Sequence, residues 1–130
     1  MNSRLPALLI ACGIASATAF GASEGEAQRL ARYAPYAGAP IARADNFDLL
    51  RYEMTGPSHV VVWSKRPGDV YLLTFREPCR ELDFSGALAL RTEQRSLRAG
   101  IDFVQARGRS CFIDRIQPID EHALRAAKQG

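Results

Sequence analysis

The stretch Gly56-Pro57-Ser58-His59-Val60 has the residue types of a serine hydrolase but not their arrangement. It begins like the G-x-S-x-G nucleophile elbow but lacks the closing glycine that lets that turn close tightly. Ser58 and His59 are adjacent, and if both enter a strand their side chains point to opposite faces and cannot form a dyad. The sequence therefore favours a turn serine followed by a histidine at a strand edge.

Two carboxylates form the second candidate for catalysis. Asp102 and Asp114 lie on neighbouring predicted strands and could face one another as a general acid and base, as glycosidases require. The predicted alternation places Asp102 opposite the core face, which favours a solvated or arginine-paired carboxylate instead. The only histidines, His59 and His122, are far apart in sequence, so we expect no metal site and no cofactor.

Cys79 and Cys111 are the only cysteines after the first twenty residues. An even cysteine count in an exported domain predicts a disulfide, which on the chain-entropy model would stabilise the fold by roughly 3 to 4 kcal/mol. A metal pair or a catalytic thiol are the alternatives. Neither cysteine lies in a C-x-x-C motif or near a histidine, so the sequence favours the structural disulfide.

Arginines and tyrosines offer two possible binding surfaces. If the loops at one end of the sheet converge, the arginines of the second half would form a basic rim suited to anionic lipid head groups or lipopolysaccharide phosphates. These residues are Arg91, Arg95, Arg98, Arg107, Arg109 and Arg115. Acidic residues are interleaved with them, which favours an ordinary mixed surface. For Tyr33 and Tyr36 the alternatives are that they cover a groove, that they dock a partner, or that they pack as a strap across the sheet, and the last is favoured.

The amino-terminal segment has the features of an export signal. Arg4 precedes an apolar run from Leu5 to Ile14, and Ala17-Thr18-Ala19 fits the rule for signal peptidase. We predict a signal over residues 1–22, with cleavage after Ala19, rather than a retained anchor. The stretch 9–12 also matches a lipoprotein box in which Cys12 would be lipidated. Ordinary cleavage is favoured over lipidation, which predicts a periplasmic or secreted protein, with an envelope lipoprotein as the alternative.

The remaining residues, 23–130, are enough for a single exported domain with one hydrophobic core. Without Arg4 the net charge falls from +3 to about +2, which does not indicate a polyanionic partner, and we expect no nucleic acid. The partner is predicted to be an unidentified envelope component, and a membrane only if Cys12 is lipidated.

Hydrophobic periodicity predicts a mainly β (α+β) domain. About six antiparallel strands should form a curled sheet or partial barrel, with short helices at the two ends of the domain. The predicted helices cover Glu24–Ala34, ended by Pro35, and Glu121–Lys128, capped by Asp120. The predicted strands are Phe47–Met54, His59–Lys65, Val70–Arg76, Ala87–Glu93, Gly100–Arg107 and Cys111–Gln117.

Two of these strands should be central, and two others have a defined inward face. The runs from His59 and from Val70 flank the turn Arg66-Pro67-Gly68-Asp69 and are apolar on both faces, as in a hairpin covered on two sides. Leu88 and Leu90 should point inward from the fourth strand. Ile101 and Phe103 should point inward from the fifth.

Several fragments together resemble a known family. They are Tyr36-Ala-Gly-Ala-Pro40, Val62-Trp-Ser-Lys-Arg-Pro67, Tyr71-Leu-Leu73, Cys79-Arg-Glu-Leu82, Cys111-Phe-Ile-Asp-Arg-Ile-Gln-Pro118 and Leu124-Arg-Ala126. With its paired cysteines and its Trp-x-x-Arg-Pro and Ile-x-x-Ile-x-Pro stretches, the chain resembles an uncharacterised family of short exported proteobacterial proteins, a domain of unknown function. The resemblance implies a bacterial envelope setting and assigns no catalytic or binding residue.

Two functions are therefore compatible with the sequence. The favoured one is a noncatalytic envelope protein, a small disulfide-tied binding or interaction module. The alternative is a small periplasmic hydrolase or ligand-binding half-barrel with a carboxylate or arginine site. A deep polar pocket holding Asp102 or Asp114 would support the alternative, and a filled apolar interior would argue against it.

Overall fold

A computed structural model describes residues 21–80, 89–91, 95–106 and 108–129. Within them the chain forms helix α1 (Gly21–Ala31), a single 3-10 turn (Ala34–Tyr36), eight strands and helix α2 (Glu121–Gln129). The strands are β1 (Arg43–Ala44), β2 (Leu49–Gly56), β3 (His59–Ser64), β4 (Val70–Phe75), β5 (Ala89–Arg91), β6 (Leu97–Arg98), β7 (Phe103–Ala106) and β8 (Arg109–Pro118).

Six strands form one curled antiparallel sheet in the order β2-β3-β4-β8-β7-β5, and β1 pairs with β6 in a second sheet. The predicted fold class, mainly β with short helices at the two ends, is confirmed. The hairpin of β3 and β4 lies inside the large sheet, with β2 on one side and β8 on the other. The two-residue strands β1 and β6 were not predicted, because such short segments carry no alternation.

The large sheet is apolar on both faces, as its two central strands predict. The second sheet packs against its inner face, where one hydrophobic core lies. A second core lies on its outer face and includes residues from the helical segments. The inner core consists of Ala44, Phe47, Val60, Val62, Leu73, Phe75, Cys79, Leu97, Val104, Cys111, Ile113 and Ile116. The outer core consists of Tyr33, Val61, Trp63, Val70, Leu72, Ile119 and Leu124.

Helix α1 ends three residues earlier than predicted. The backbone tightens after Ala31, where Arg32 and Tyr33 donate to carbonyls three residues back, and the 3-10 turn containing Pro35 follows. Proline fits the first turn of a helix because its missing N–H is not needed there. Helix α2 begins as predicted, since the Asp120 carboxylate accepts a hydrogen bond from the Ala123 N–H at 3.0 Å.

The predicted inward face of the fifth strand is wrong. Ile101 lies in the turn before β7 and is 57% exposed, whereas Asp102 and Val104 are buried. Gly100, at φ +79°, turns the chain so that β7 starts only at Phe103, and Val104 is the residue paired with Cys111 over the inner core. Of the predicted strand Ala87–Glu93 the structure describes only Ala89–Arg91, so the expected inward position of Leu88 lies outside the described residues.

Candidate functional site

A disulfide joins Cys79, just after β4, to Cys111 of β8. The predicted pairing is confirmed, and the Cα–Cα distance of 5.8 Å is ordinary for a disulfide. Both cysteines are buried in the inner core. The Cys79 N–H also donates to the Pro57 carbonyl at 2.6 Å, which ties the turn between β2 and β3 to the same point.

We call five residues near this bridge the outer patch: Arg76, Ile101, Phe103, Arg109 and Phe112. All are exposed except Phe103, which is half-buried. Phe103 and Phe112 are cross-strand partners whose ring centroids are 5.3 Å apart. Phe112 is 40% exposed, and the Arg76 guanidinium lies over its ring at 5.4 Å from the centroid. Arg76 also donates to the Gly100 carbonyl at 3.3 Å, which holds it beside the turn that carries Ile101.

The fold explains why these apolar side chains remain exposed. The outer core includes residues of β3, of β4 and of the two helical segments, and its members lie on the other half of the sheet from the outer patch. Beside Phe112 the surface is indented by a cavity of about 130 Å³ lined by Arg76, Glu77, Arg109, Ser110 and Cys111. Aromatic residues and arginine next to one another are typical of the central residues of protein interfaces.

Asp102 is buried and ion-paired, so it differs from its predicted position opposite the core. Its carboxylate accepts hydrogen bonds from the Arg98 backbone N–H at 2.6 Å, from Nε at 3.2 Å and from Nη2 at 3.1 Å. Asp102 is 3% exposed, whereas Asp114 on β8 is exposed. The predicted pairing with an arginine is therefore present, and the two carboxylates do not share one environment.

Ser58 and His59 lie where the sequence placed them, in the turn between β2 and β3 and at the start of β3. His59, Thr74 and Arg115 pair across β3, β4 and β8, and so form a row on the outer face. His59 Nδ1 and Thr74 Oγ1 are buried without a hydrogen-bond partner among the described residues. Burial lowers the pKa of His59; nearby Glu26 opposes this shift and Arg115 adds to it.

The predicted basic rim is only partly within the described residues. Arg98 precedes β7 and Arg109 follows it, so the two lie at opposite ends of that strand, and Arg98 is bound to Asp102. The carbonyl of Arg95 accepts the Phe47 N–H at 2.7 Å. The backbone of Arg91 forms part of β5, and Arg107 lies outside the described residues. Anion binding by these arginines stays a prediction.

The segment that contains Tyr33 and Tyr36 packs against the outer core of the sheet. Tyr33 is 1% exposed and donates its hydroxyl hydrogen to Glu53 at 2.7 Å. Its ring forms a T-shaped pair with Trp63, with the centroids 6.1 Å apart. The Arg51 guanidinium lies over the ring of Trp63, 3.7 Å from its centroid. Burial and the Glu53 hydrogen bond raise the pKa of Tyr33 to about 12. Tyr36 is half-buried, and its carbonyl accepts the Asp120 N–H at 2.9 Å.

His122 is exposed on α2, beside an open depression of about 360 Å³ between that helix and Gly68. Across the described ranges, no group of three or more histidine, cysteine or acidic residues is arranged to hold a metal ion. The helices within those ranges include none that is long and apolar enough to cross a membrane. The candidate lipidation residue Cys12 and the predicted cleavage site lie outside the described residues.

Sequence reasoning did not single out Arg76 or Phe112, and it placed Ile101 in the core, whereas Ile101 is 57% exposed. A signal for Phe112 was nevertheless present, because it lies between Cys111 and Ile113, both of which face the inner core. An apolar residue between two inward-facing neighbours must point outward on a strand. Arg76 and Ile101 had no such signal, since their positions depend on how the turn after β4 meets the turn before β7.

The fold and this surface define a small, disulfide-bridged β half-barrel with an exposed aromatic–arginine patch. The chain belongs to the family of unknown function DUF6491, whose model matches residues 1–130. No curated protein and no solved structure matched the chain.

Proposed function

We propose that this protein is an exported, noncatalytic interaction module of the bacterial envelope, and that the outer patch is its binding surface. The partner proposed is another envelope protein that presents acidic side chains beside apolar ones. The leader-like first residues and the single disulfide support an oxidising compartment.

The observation that carries the proposal is the contrast between the two faces of the β7–β8 hairpin. On its inner face Val104, Cys111 and Ile113 are packed in a closed apolar core. On its outer face Phe112 and the preceding Ile101 are exposed beside arginine side chains. Because the interior is filled, the surface is where a protein of this architecture can bind another molecule.

The charge of the outer patch favours an acidic partner. Arg76 lies over the Phe112 ring, and Arg109 lines the indentation beside it. Among the described lining residues, Glu77 is the only carboxylate. Arginine beside a desolvated aromatic ring binds carboxylates well, because its planar fork forms two parallel hydrogen bonds. Exposed apolar residues at the centre with cations around them fit the usual arrangement of a protein interface.

The alternative, a hydrolase or ligand-binding half-barrel, has less support from the geometry. It required a polar pocket around Asp102 or Asp114. Asp102 instead uses both carboxylate oxygens to bind Arg98, and the inner face of the sheet is filled by apolar side chains.

The binding surface is testable by photo-crosslinking in the native cells. A photoreactive residue at the exposed position Ser110 is expected to yield a discrete protein adduct, whereas the same residue at Lys65, in the loop between β3 and β4, should not. Once the adduct is identified, the purified partner should bind the oxidised protein directly.

Arg76→Glu and Phe112→Ser are expected to weaken this binding at least about tenfold, as for central interface residues. Arg43→Glu is the matched control, because Arg43 is an exposed arginine of β1 that pairs with Asp45 and is not part of the outer patch. The proposal fails if Ser110 gives no adduct beyond that of Lys65, or if Arg76→Glu binds as well as Arg43→Glu.

Export is tested separately by envelope fractionation and intact mass of the mature chain. A soluble form that starts at Phe20 and lacks two hydrogens would support a periplasmic protein. An acylated form that starts at Cys12 would make it a lipoprotein, and a cytoplasmic chain with two free thiols would overturn the proposed compartment.

A further inference from the structure

A second surface feature lies between the helical segments, beside the outer core. It is a cleft of about 220 Å³ between the end of α1, the 3-10 turn and α2. We call it the helix cleft. Its lining residues are Ala31, Arg32, Tyr36, Leu124, Ala127 and Lys128.

The floor and walls of the helix cleft are apolar. Leu124 is 4% exposed and belongs to the outer core, and Tyr36 packs against that core. Ala31 closes α1 on one wall, and Ala127 lies on α2 on the other. Alanine favours the helix in both places, and its short side chain leaves the concave space that a leucine would fill.

The rim of the helix cleft is cationic. The Arg32 side chain is 58% exposed and lies 3.6 Å from Glu53. Lys128, in the last turn of α2, is exposed and forms no ion pair with any residue that the structure describes. None of the described residues that line the cleft is acidic. The acidic residue at the start of α2, Glu121, is bound by Arg125 at 3.3 Å.

We propose that the helix cleft binds a small anionic amphiphile, an alkyl carboxylate whose chain lies against Ala31, Leu124 and Ala127 and whose head group lies between Arg32 and Lys128. The apolar floor alone would accept any small hydrocarbon, and the two cations alone would accept any anion. A ligand that uses both needs a charged end and an apolar body. The volume, below the roughly 300 to 1,000 Å³ of drug-sized sites, limits the bound portion to a short chain.

The inference is independent of the proposed partner of the outer patch, because the two surfaces share no residue. If one of the two proposals is disproved, the other is therefore unaffected.

The probe is octanoate, added below its micelle concentration to the mature, oxidised protein, with amide chemical shifts as the readout. We expect saturable shifts of the amides of Ala31, Leu124 and Ala127. Octanol lacks the charge and acetate lacks the chain, so each should bind at least about fivefold more weakly, which corresponds to about 1 kcal/mol.

Two variants separate the charge from the apolar floor. Lys128→Gln should weaken octanoate binding about three- to fivefold, as expected for one exposed ion pair, and leave octanol unchanged. Lys65→Gln is the matched control, since Lys65 is the other lysine of the chain and is exposed in the loop after β3. Ala127→Leu should abolish binding of both probes by filling the cleft, with its melting temperature checked against that of the unmodified protein.

If Ala127→Leu does not fold, Ala31→Leu tests the opposite wall. The proposal is overturned if octanoate shifts amides elsewhere or none at all. It is equally overturned if octanol binds as tightly as octanoate and Lys128→Gln changes neither.

Discussion

At the scale of single residues, Asp102 is a carboxylate held in the interior by one arginine. Three donors of Arg98, two of them on its side chain, bind the two oxygens. Removal of one member of a buried ion pair leaves an uncompensated charge, which typically costs 3 to 5 kcal/mol. The Arg98 side chain is 30% exposed, so water can solvate part of that charge and the lower end of the range applies.

Asp102→Ala should therefore lower the free energy of unfolding by about 3 kcal/mol, measured by urea denaturation. Asp45→Ala is the control, because Asp45 forms an exposed ion pair with Arg43 on the edge of the small sheet. We expect a much smaller loss for that variant. Equal losses for the two variants would contradict a stabilising role that depends on burial.

Tyr33 should ionise at an unusually high pH. Burial and the hydrogen bond to Glu53 raise its pKa from 10.0 to about 12. Because the folded pKa lies above the unfolded one, this contribution to stability is complete below pH 10 and is lost as the pH rises toward 12.

A plot of the absorbance at 295 nm against pH should show a component that titrates at high pH. The Tyr33→Phe variant should lack this component. Glu53→Gln should move that component to lower pH, since it removes the negative charge next to the hydroxyl. A titration curve that is the same with and without Tyr33→Phe, apart from its amplitude, would disprove the assignment.

His59 should make the protein less stable in mild acid. Burial lowers its pKa below 6.5, so the unfolded chain binds the proton more readily than the folded one does. The contribution to stability is present above pH 6.5 and is lost as the pH falls through the folded pKa. Proton NMR of the His59 ring should show Glu26→Gln lowering its pKa further and Arg115→Gln raising it. Shifts of the same sign in the two variants would refute these two electrostatic effects.

At the scale of elements, helix α1 contacts the sheet at a glycine of β2. A Cβ on Gly56, at the end of β2, would lie 2.2 to 2.6 Å from side-chain atoms of Glu26. Gly56→Ala should displace that side chain and lower the free energy of unfolding by about 1 kcal/mol.

Gly25→Ala provides the opposite case within the same helix. A Cβ there meets no atom within 4 Å, and alanine stabilises a helix interior by about 0.5 to 1 kcal/mol relative to glycine. In a Glu26→Ala background the loss caused by Gly56→Ala should shrink. An unchanged loss in that background would mean that backbone strain at Gly56, rather than the Glu26 contact, causes it.

The same scale shows what the sequence could predict. The hairpin of β3 and β4 was predictable because both strands are apolar on both faces and are joined by a strong turn. The inward face of β7 was not, because the turn at Gly100 moves the start of the strand past Ile101, and a shift of one residue exchanges the two faces. For the site, the disulfide was predictable from cysteine count. The meeting of Arg76 with Phe112 was not, because it depends on tertiary contacts between two turns.

At the scale of the whole molecule, the disulfide joins regions that are distant in the chain. Its two cysteines are 32 residues apart, and the unfolded chain must close a loop of that length to bring them together. On the chain-entropy model the bond stabilises the fold by about 3 to 4 kcal/mol. That is a large share of the roughly 5 to 15 kcal/mol by which domains are stable.

The bridge also supports the outer patch. Arg76 lies three residues before Cys79, and its N–H donates to the Phe112 carbonyl at 2.9 Å, next to Cys111. Without the bond this segment is held to β8 by hydrogen bonds and packing alone. Loss of the disulfide should therefore reduce both global stability and the order of the patch, and the two effects are separable.

The Cys79→Ala/Cys111→Ala variant should lose about 3 to 4 kcal/mol of unfolding free energy in urea, and reductant should bring the unmodified protein to a similar value. Under conditions in which the variant is still folded, amide hydrogen exchange should increase more at Arg76 and Phe112 than in the hairpin of β3 and β4. Reductant should not change the unfolding free energy or the hydrogen exchange of the variant. This controls for effects of the reductant other than cleavage of the disulfide. If reduction changes neither the urea midpoint nor exchange at Arg76, the bridge neither stabilises the fold nor orders the binding surface.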